Sequence, residues 1–295
     1  MNPSEHEKLN IQWYPGHMTK ARRMIEENLP QVDAVCEVLD ARIPRASANP
    51  DVARLAAGKP RLVLLNRCDL ADPAVTAGWK AFFEKEGAKV LETDARSGKG
   101  VNAFVPAVKT VLEEKRKAYE AKGQSGRALR IMVLGIPNVG KSTLINKVAG
   151  RKAALAGDRP GVTRGKQWIS IANGLDLLDT PGILWPKFES REVGELLALT
   201  GAIKTEVFDA EALAANFMLR LAALYPTALQ QRYRIELPAD ANGYDLLELA
   251  ARKRGFLISG GEADIGRMAN TLLREYHEGK LGRISLESPD GEGAV

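Results

Sequence analysis

The apolar run at residues 128–135, ALRIMVLG, leads without a break into Gly135-Ile136-Pro137-Asn138-Val139-Gly140-Lys141-Ser142, and a helical pattern follows. No other stretch constrains the fold as tightly. The stretch matches G-x-x-x-x-G-K-[ST] in its required strand–loop–helix setting. The glycines let backbone N–H groups turn inward around a β-phosphate. Lys141 supplies a point charge to β- and γ-phosphates, and the Ser142 hydroxyl suits Mg²⁺. Asn138, Val139, Gly140, Lys141, Ser142 and Thr143 are therefore candidate phosphate-site contacts. A strand that ends in such a loop belongs to a largely parallel sheet with helices on both faces.

The rest of the first 180 residues keeps that rhythm. Residues 32–39, 61–66, 88–93, 166–171 and 175–180 read as further strands, the last two joined by an Asn173-Gly174 hairpin signal. Asn49-Pro50 and Asp72-Pro73 each pair an N-cap with a proline at the first helical position. After Pro186 the strand pattern stops, and helical stretches follow near 190–200, 206–224, 243–253 and 262–277. The 295 residues suit two domains at roughly 150 residues each. The expected boundaries are a nucleotide domain over 1–188, a helical domain over 189–285 and a disordered tail over 286–295.

Composition excludes several classes. Two cysteines, Cys36 and Cys68, give neither a disulfide framework nor a zinc cluster, and their apolar surroundings predict buried thiols. No apolar run reaches the ~18 residues of a membrane span, and the polar N-terminus lacks a signal-peptide core, so a cytoplasmic protein without a membrane partner is expected. The net charge of +5 permits an anionic partner without requiring one.

Two motifs follow the phosphate loop. LDLLDTPG (175–182) places Asp179 at the end of an apolar strand, where a carboxylate can hold a metal-bound water, and Gly182 where its N–H can meet a γ-phosphate. GDRPGVTRGKQW (157–168) is glycine-rich around Thr163, the best candidate for a second hydroxyl on Mg²⁺. A threonine held by the γ-phosphate and released on hydrolysis is a switch.

The base-reading loop lies upstream. In LLNRCDLAD (64–72), Asp69 can accept from the guanine N1–H and 2-amino group, a donor pair that adenine lacks. Asn66 can bond the base and tie neighbouring loops. Arg67 stands where lysine is usual, and its stem and guanidinium can cover the base. In TDARSGKG (93–100), the backbone around Asp94 and Ala95 can reach the guanine O6. The motif order is thus base loops, phosphate loop, switch, metal carboxylate. Relocating chain ends leaves a sheet's sites in place provided that a linker joins the old termini. Residues 106–127, a charged helix running into a Gly/Ser stretch, are placed to do this. The fold class is therefore α/β: a circularly permuted P-loop GTPase with a mostly parallel six-stranded sheet, followed by a C-terminal all-helical domain.

IQWYPGHMTKARR (11–23), VLDARIPRASANP (38–50), LLNRCDLAD, GIPNVGKSTLIN, RPGVTRGKQW, DTPGILWPK and GGEADIGRMANTLLREYHEGKLGRISLE (260–287) together resemble the ribosome biogenesis GTPase A (YlqF-type) family over nearly the whole chain. The resemblance implies a monomeric GTPase that binds the maturing large ribosomal subunit and its rRNA and leaves after hydrolysis. Many GTPases orient the attacking water with a glutamine after the sensor glycine; here Ile183 stands there and cannot hydrogen-bond water. The resemblance points to His17 as the catalytic group instead, alongside Lys141 and Thr163, and to Asn138 as a K⁺ ligand.

Lys20, Arg22 and Arg23, then Arg252, Lys253, Arg254, Arg267, Arg274, Lys280 and Arg283, can neutralise RNA phosphates, but interspersed Glu262, Asp264, Glu275 and Glu278 leave an ordinary solvated face open. Trp13 and Tyr14 can stack on bases, although burial is the plainer use. Two other classes remain open: an ATP-dependent metabolic enzyme, which Asp69 and Thr163 oppose, and an RNA-binding module without significant turnover, which the intact Lys141, Ser142, Thr163 and Asp179 oppose.

Overall fold

The computed structural model describes residues 16–124, 126–150, 166–171, 174–185, 188, 190–203 and 208–291. The expectations for Trp13, Tyr14, Thr163 and Asn173 lie outside these residues, as does the side chain of His17.

Six strands form one sheet: β1 (Ala34–Asp40), β2 (Arg61–Asn66), β3 (Lys89–Thr93), β4 (Leu129–Leu134), β5 (Gln167–Ile171) and β6 (Leu175–Asp179), in the order β3-β2-β1-β4-β6-β5. All neighbours are parallel except β5 and β6, which pair antiparallel as the hairpin signal predicts. β1 is buried along its whole length. The chain runs outward from β1 to β2 and β3, then returns to β4 on the other flank of β1. This creates a switch point between β1 and β4, and open α/β sheets bind ligands at the carboxyl ends beside such a point. Asp40 is in register with Asn66, and Asn66 with Thr93, so the upstream strand ends finish level.

Helices α1 (Gly16–Asn28), α2 (Pro44–Ser47), α3 (Pro50–Leu55), α4 (Pro73–Lys85), α5 (Phe104–Val111), α6 (Glu113–Ala121) and α7 (Lys141–Ala149) belong to this part of the chain. The predicted caps form: Asn49 accepts from Asp51 N at 2.9 Å, and Asp72 accepts from Ala74 N at 2.8 Å. One face of the sheet shares a core with α1 and α3, built from Ile25, Val35, Val52, Met132, Leu178 and Ile183. On α4, Trp79 is fully buried and stacks on Phe83. The charged helix expected over 106–127 is divided into α5 and α6, because Leu112 between them is drawn into the core. Cys36 and Cys68 are buried free thiols, as expected.

From Arg191 onward the described elements are helical: α8 (Arg191–Leu199), α9 (Ala210–Leu224), α10 (Pro226–Tyr233), α11 (Gly243–Lys253) and α12 (Ile265–His277). Sequence periodicity missed α10. Pro226 at its first position turns the chain by 116° away from α9. No single described helix is long and apolar enough to cross a membrane. α9 instead buries Leu213, Phe217, Met218 and Leu221, and α12 packs against it with Met268, Leu272 and Tyr276 buried.

The tail expectation needs correction over residues 286–291, which are ordered. Leu286 is buried and donates its N–H to Arg42 O at 2.8 Å. The Glu287 carboxylate caps α2, accepting from Arg45 N at 2.7 Å and Ala46 N at 2.9 Å. Its carbonyl accepts from Trp79 Nε1 at 3.2 Å. Short polar sequence hides these ties, because they are long-range and mostly use the backbone.

Helices α9 and α11 meet at Gly243, where a Cβ would lie 2.1 Å from Ala215 O. We expect Gly243→Ala to destabilise the protein by ~1–3 kcal/mol through overpacking, read as a lowered thermal midpoint. An unchanged midpoint would mean that the two helices are free to separate.

Candidate functional site

Asn66 ends β2 and is buried. Its Nδ2 donates to Val139 O in the phosphate loop at 2.8 Å. Its Oδ1 accepts from Thr93 Oγ1 at the end of β3 at 3.2 Å and from Ala95 N in the loop that follows at 3.0 Å. One carboxamide therefore joins three loops that sequence places far apart. Gly140 is required there: it has φ 101°, and a Cβ on it would lie 2.4 Å from Asn66 Nδ2. Ala95, whose backbone was expected to face a guanine O6, has its N–H engaged by Asn66 instead. The Asp94 carboxylate closes its own turn, accepting from Arg96 N at 2.9 Å and Ser97 N at 3.2 Å. Burial would raise its pKa, but these hydrogen bonds outweigh it and hold the carboxyl below its ordinary value.

Arg67 adopts φ 60°, and its Nη2 donates to Asn138 O at 2.6 Å. Asp69 is exposed on the same loop. Asn138, also left-handed at φ 57°, donates Nδ2 to Gly201 O just beyond α8 at 2.8 Å. Sequence reasoning did not foresee that contact.

Lys141 begins α7, buried, and folds back so that Nζ donates to Gly135 O and Ile136 O, each at 3.0 Å. Burial pushes its ammonium down to about 8, with Asp179 acting the other way. Asp179 ends β6, and neither of its carboxylate oxygens has a hydrogen-bond partner among the described residues. Burial pushes it up to about 6, partly offset by Lys141. A buried carboxylate without donors, next to a desolvated ammonium, is a site that lacks its counter-charges. Such a pair fits a magnesium-bound polyphosphate: the metal satisfies the carboxylate side and the phosphates satisfy the lysine. Ser142 and Thr143 occupy the first turn of α7, both half-buried.

Gly182 packs against the phosphate loop so closely that a Cβ would lie 2.7 Å from Pro137. Ile183 is a core residue. Its N–H donates to Gly135 O at 3.2 Å, and its carbonyl accepts from Asn49 Nδ2 at 3.3 Å. His17 lies in the first turn of α1, the helix whose Ile25 shares Ile183's apolar cluster.

The basic residues divide. Arg254 donates to Glu275 at 3.0 Å and lies over the Tyr233 ring, Arg252 pairs with Glu248, and Arg267 lies over Phe256. Arg254 thus ties the end of α11 to α12, Arg252 braces α11 itself, and Arg267 holds α12 to the segment after α11. Lys280 and Arg283 instead line a groove with Arg232 and Arg234, two residues that the sequence reading left out because α10 was not anticipated.

Residues 130–217 match the family model described as 50S ribosome-binding GTPase. That match begins in β4 and omits the base loop, as permutation requires. The ribosome biogenesis GTPase A of Priestia megaterium is 46% identical over 95% of this chain and 98% of its own length. That of Thermotoga maritima is 36% identical over 95% of each. The chain belongs to the ribosome biogenesis GTPase A family. It is thus a GTPase of circularly permuted P-loop architecture, which the solved structures bear out. A GDP-bound YlqF superposes with a TM-score of 0.68 at 30% identity, covering 90% of this chain and 99% of that one. A GNP-bound YlqF from T. maritima gives 0.63 at 31% identity, over 92% and 99%.

Asp179 makes a pH prediction for this ribosome biogenesis GTPase A family member when free of nucleotide. Its folded pKa of about 6 exceeds the ordinary 3.8, so the folded protein holds the proton longer than the unfolded chain. Stability then falls as pH rises through that window. Asp179→Asn should remove this component, on the order of 3 kcal/mol. The difference between the two proteins' denaturant-unfolding profiles isolates it; parallel profiles would contradict the buried, donor-free carboxylate.

Proposed function

We propose that the protein is an assembly factor that docks on the rRNA of the maturing large ribosomal subunit in its GTP state and leaves after hydrolysis. The nucleotide part of this reading is carried by the three-loop tie at Asn66, which brings a guanine-type loop against a phosphate loop, and the ribosomal part is supported by the ribosome biogenesis GTPase A relatives. In this reading Asp69 reads the guanine, Asn66 and Arg67 hold the loops around it, and Asp94 and Ala95 shape the opposite wall. Val139, Gly140, Lys141 and Thr143 cradle the phosphates. Gly182 reports the γ-phosphate.

Ser142 and Asp179, with Thr163 from outside the described residues, are the groups that would hold Mg²⁺, which would neutralise charge between the β- and γ-phosphates. A K⁺ ion at Asn138 is compatible with the contact to Gly201. The carbonyl takes the amide nitrogen, and a hard cation takes the oxygen. A monomer acting in the cytoplasm goes with this reading.

Ile183 supports slow basal turnover, since a core side chain cannot align water. Ribosomal contact then completes the catalytic arrangement, with His17, in the first turn of α1, as the catalytic group. His17→Ala should lower ribosome-stimulated turnover by about 10²-fold while leaving GTP affinity nearly intact; unchanged stimulated turnover removes His17 from the reaction. Exchange of K⁺ for Na⁺ should slow turnover, and equal rates would exclude an ion at Asn138.

Sedimentation with purified large subunits in GTP-analogue, GDP and nucleotide-free states tests the whole reading. Co-migration confined to the analogue state is the expected result. Binding indifferent to nucleotide, without stimulated hydrolysis, would instead favour an RNA-binding module without turnover.

A further inference from the structure

A groove of about 790 Å³ opens where α9 and α10 meet residues 280–284. Arg232, Arg234, Lys280 and Arg283 line it, and no carboxylate does. Glu275 neutralises Arg232 and Glu278 neutralises Lys280. Arg234 and Arg283 have no ion-pair partner among the described residues. Arg234 ends α10 at φ 56°, a left-handed position where glycine is the unstrained choice. An arginine held there against its backbone preference presents an exposed guanidinium to the groove.

Two residues of the groove lining, Arg283 and Ile284, are bonded to the base loop. Arg283 donates Nε to Ala71 O and Nη2 to Cys68 O, both at 2.8 Å. Ile284 N donates to Leu70 O at 2.9 Å, and Asp72 N donates to Ser285 Oγ at 3.0 Å. The residues that flank Asp69 are therefore held from the groove side.

We propose that this groove docks an RNA phosphate backbone, and that Arg283 links the docking to tighter guanine-nucleotide binding. The inference rests on the rRNA reading above and assigns it a surface. The cations come from separate segments and spread along an open groove, which suits successive phosphates rather than one small anion. Arg283 has five donors, and the loop carbonyls take only two of its nitrogens. A phosphate on the remaining edge fixes the side chain that holds the base loop. Bound guanine fixes the same loop from its other face. Each ligand then spares the other part of the ordering cost, and the effect is reciprocal.

The test uses the full chain, a fluorescein-labelled A-form RNA duplex followed by anisotropy across a salt series, and a fluorescent non-hydrolysable GTP analogue. Arg234→Gln combined with Lys280→Gln should weaken RNA binding about tenfold and reduce the salt slope by about 2, with the thermal midpoint unchanged. Equal affinity and slope would overturn the groove. Subunit co-sedimentation by the same variant would then show that the general rRNA reading survives. RNA should tighten binding of the GTP analogue by the wild type about fivefold. Arg283→Lys keeps the charge but cannot span both carbonyls, so it should still bind RNA while losing that tightening. If tightening persists in Arg283→Lys, or is absent from the wild type, the link is wrong.

Discussion

The Asn66 carboxamide is the interaction on which the nucleotide site depends. A buried amide left without partners costs more than each of its bonds contributes, so the end of β2 and the two loops that satisfy it are held together or fail together. This explains why chain order does not matter to the site. The bonds run from one strand end to two loops, and they are indifferent to whether the base loop comes before or after the phosphate loop. Gly140 shows how tight the arrangement is, since the space that a methyl group would need is taken by the Asn66 nitrogen.

The sheet and much of the site were legible because their signals are local. A P-loop, two proline-backed N-caps and six apolar runs each report within a few residues. Asn66 was readable as a loop tie for the same reason. What the sequence hid is long-range. The α10 helix has a weak apolar face, and its Pro226 start looks like a simple break. The order of residues 286–291 arises from Arg42, Arg45 and Trp79, more than 200 positions earlier. Arg254 and Arg267 read as free charges but are occupied by Glu275 and Phe256, because a linear charge pattern does not show which carboxylate or ring folds against it. Asn138 read as a K⁺ ligand, and its contact with Gly201 depended on where the helices pack.

Lys141 and Asp179 show the opposite balance from Asn66. Their charges are buried where neither is fully compensated, and the surrounding sheet sustains that cost. Ile183 completes the picture on the apolar side. It uses its backbone to brace the phosphate loop and its side chain to fill the core shared with α1. The position that many GTPases give to a water-orienting glutamine is here given to packing. Whatever aligns the water must therefore come from outside the sensor segment, and α1 and α3 are the helices that share Ile183's cluster.

Residues 182–201 leave the phosphate loop and come back to it. Gly182 rests on Pro137, and Gly201 accepts from Asn138, the next residue. Helix α8 lies between these two positions in sequence, and the contact from Asn138 is made just beyond its C-terminal end. The groove beside α10 reaches the site by a separate route, through Arg283 to the base loop. The helices thus meet the nucleotide site at its phosphate end and at its base end, and in both places the acceptor is a backbone carbonyl. Side-chain substitution cannot remove those acceptors, so the donors Asn138 and Arg283 are the residues through which the connection is set.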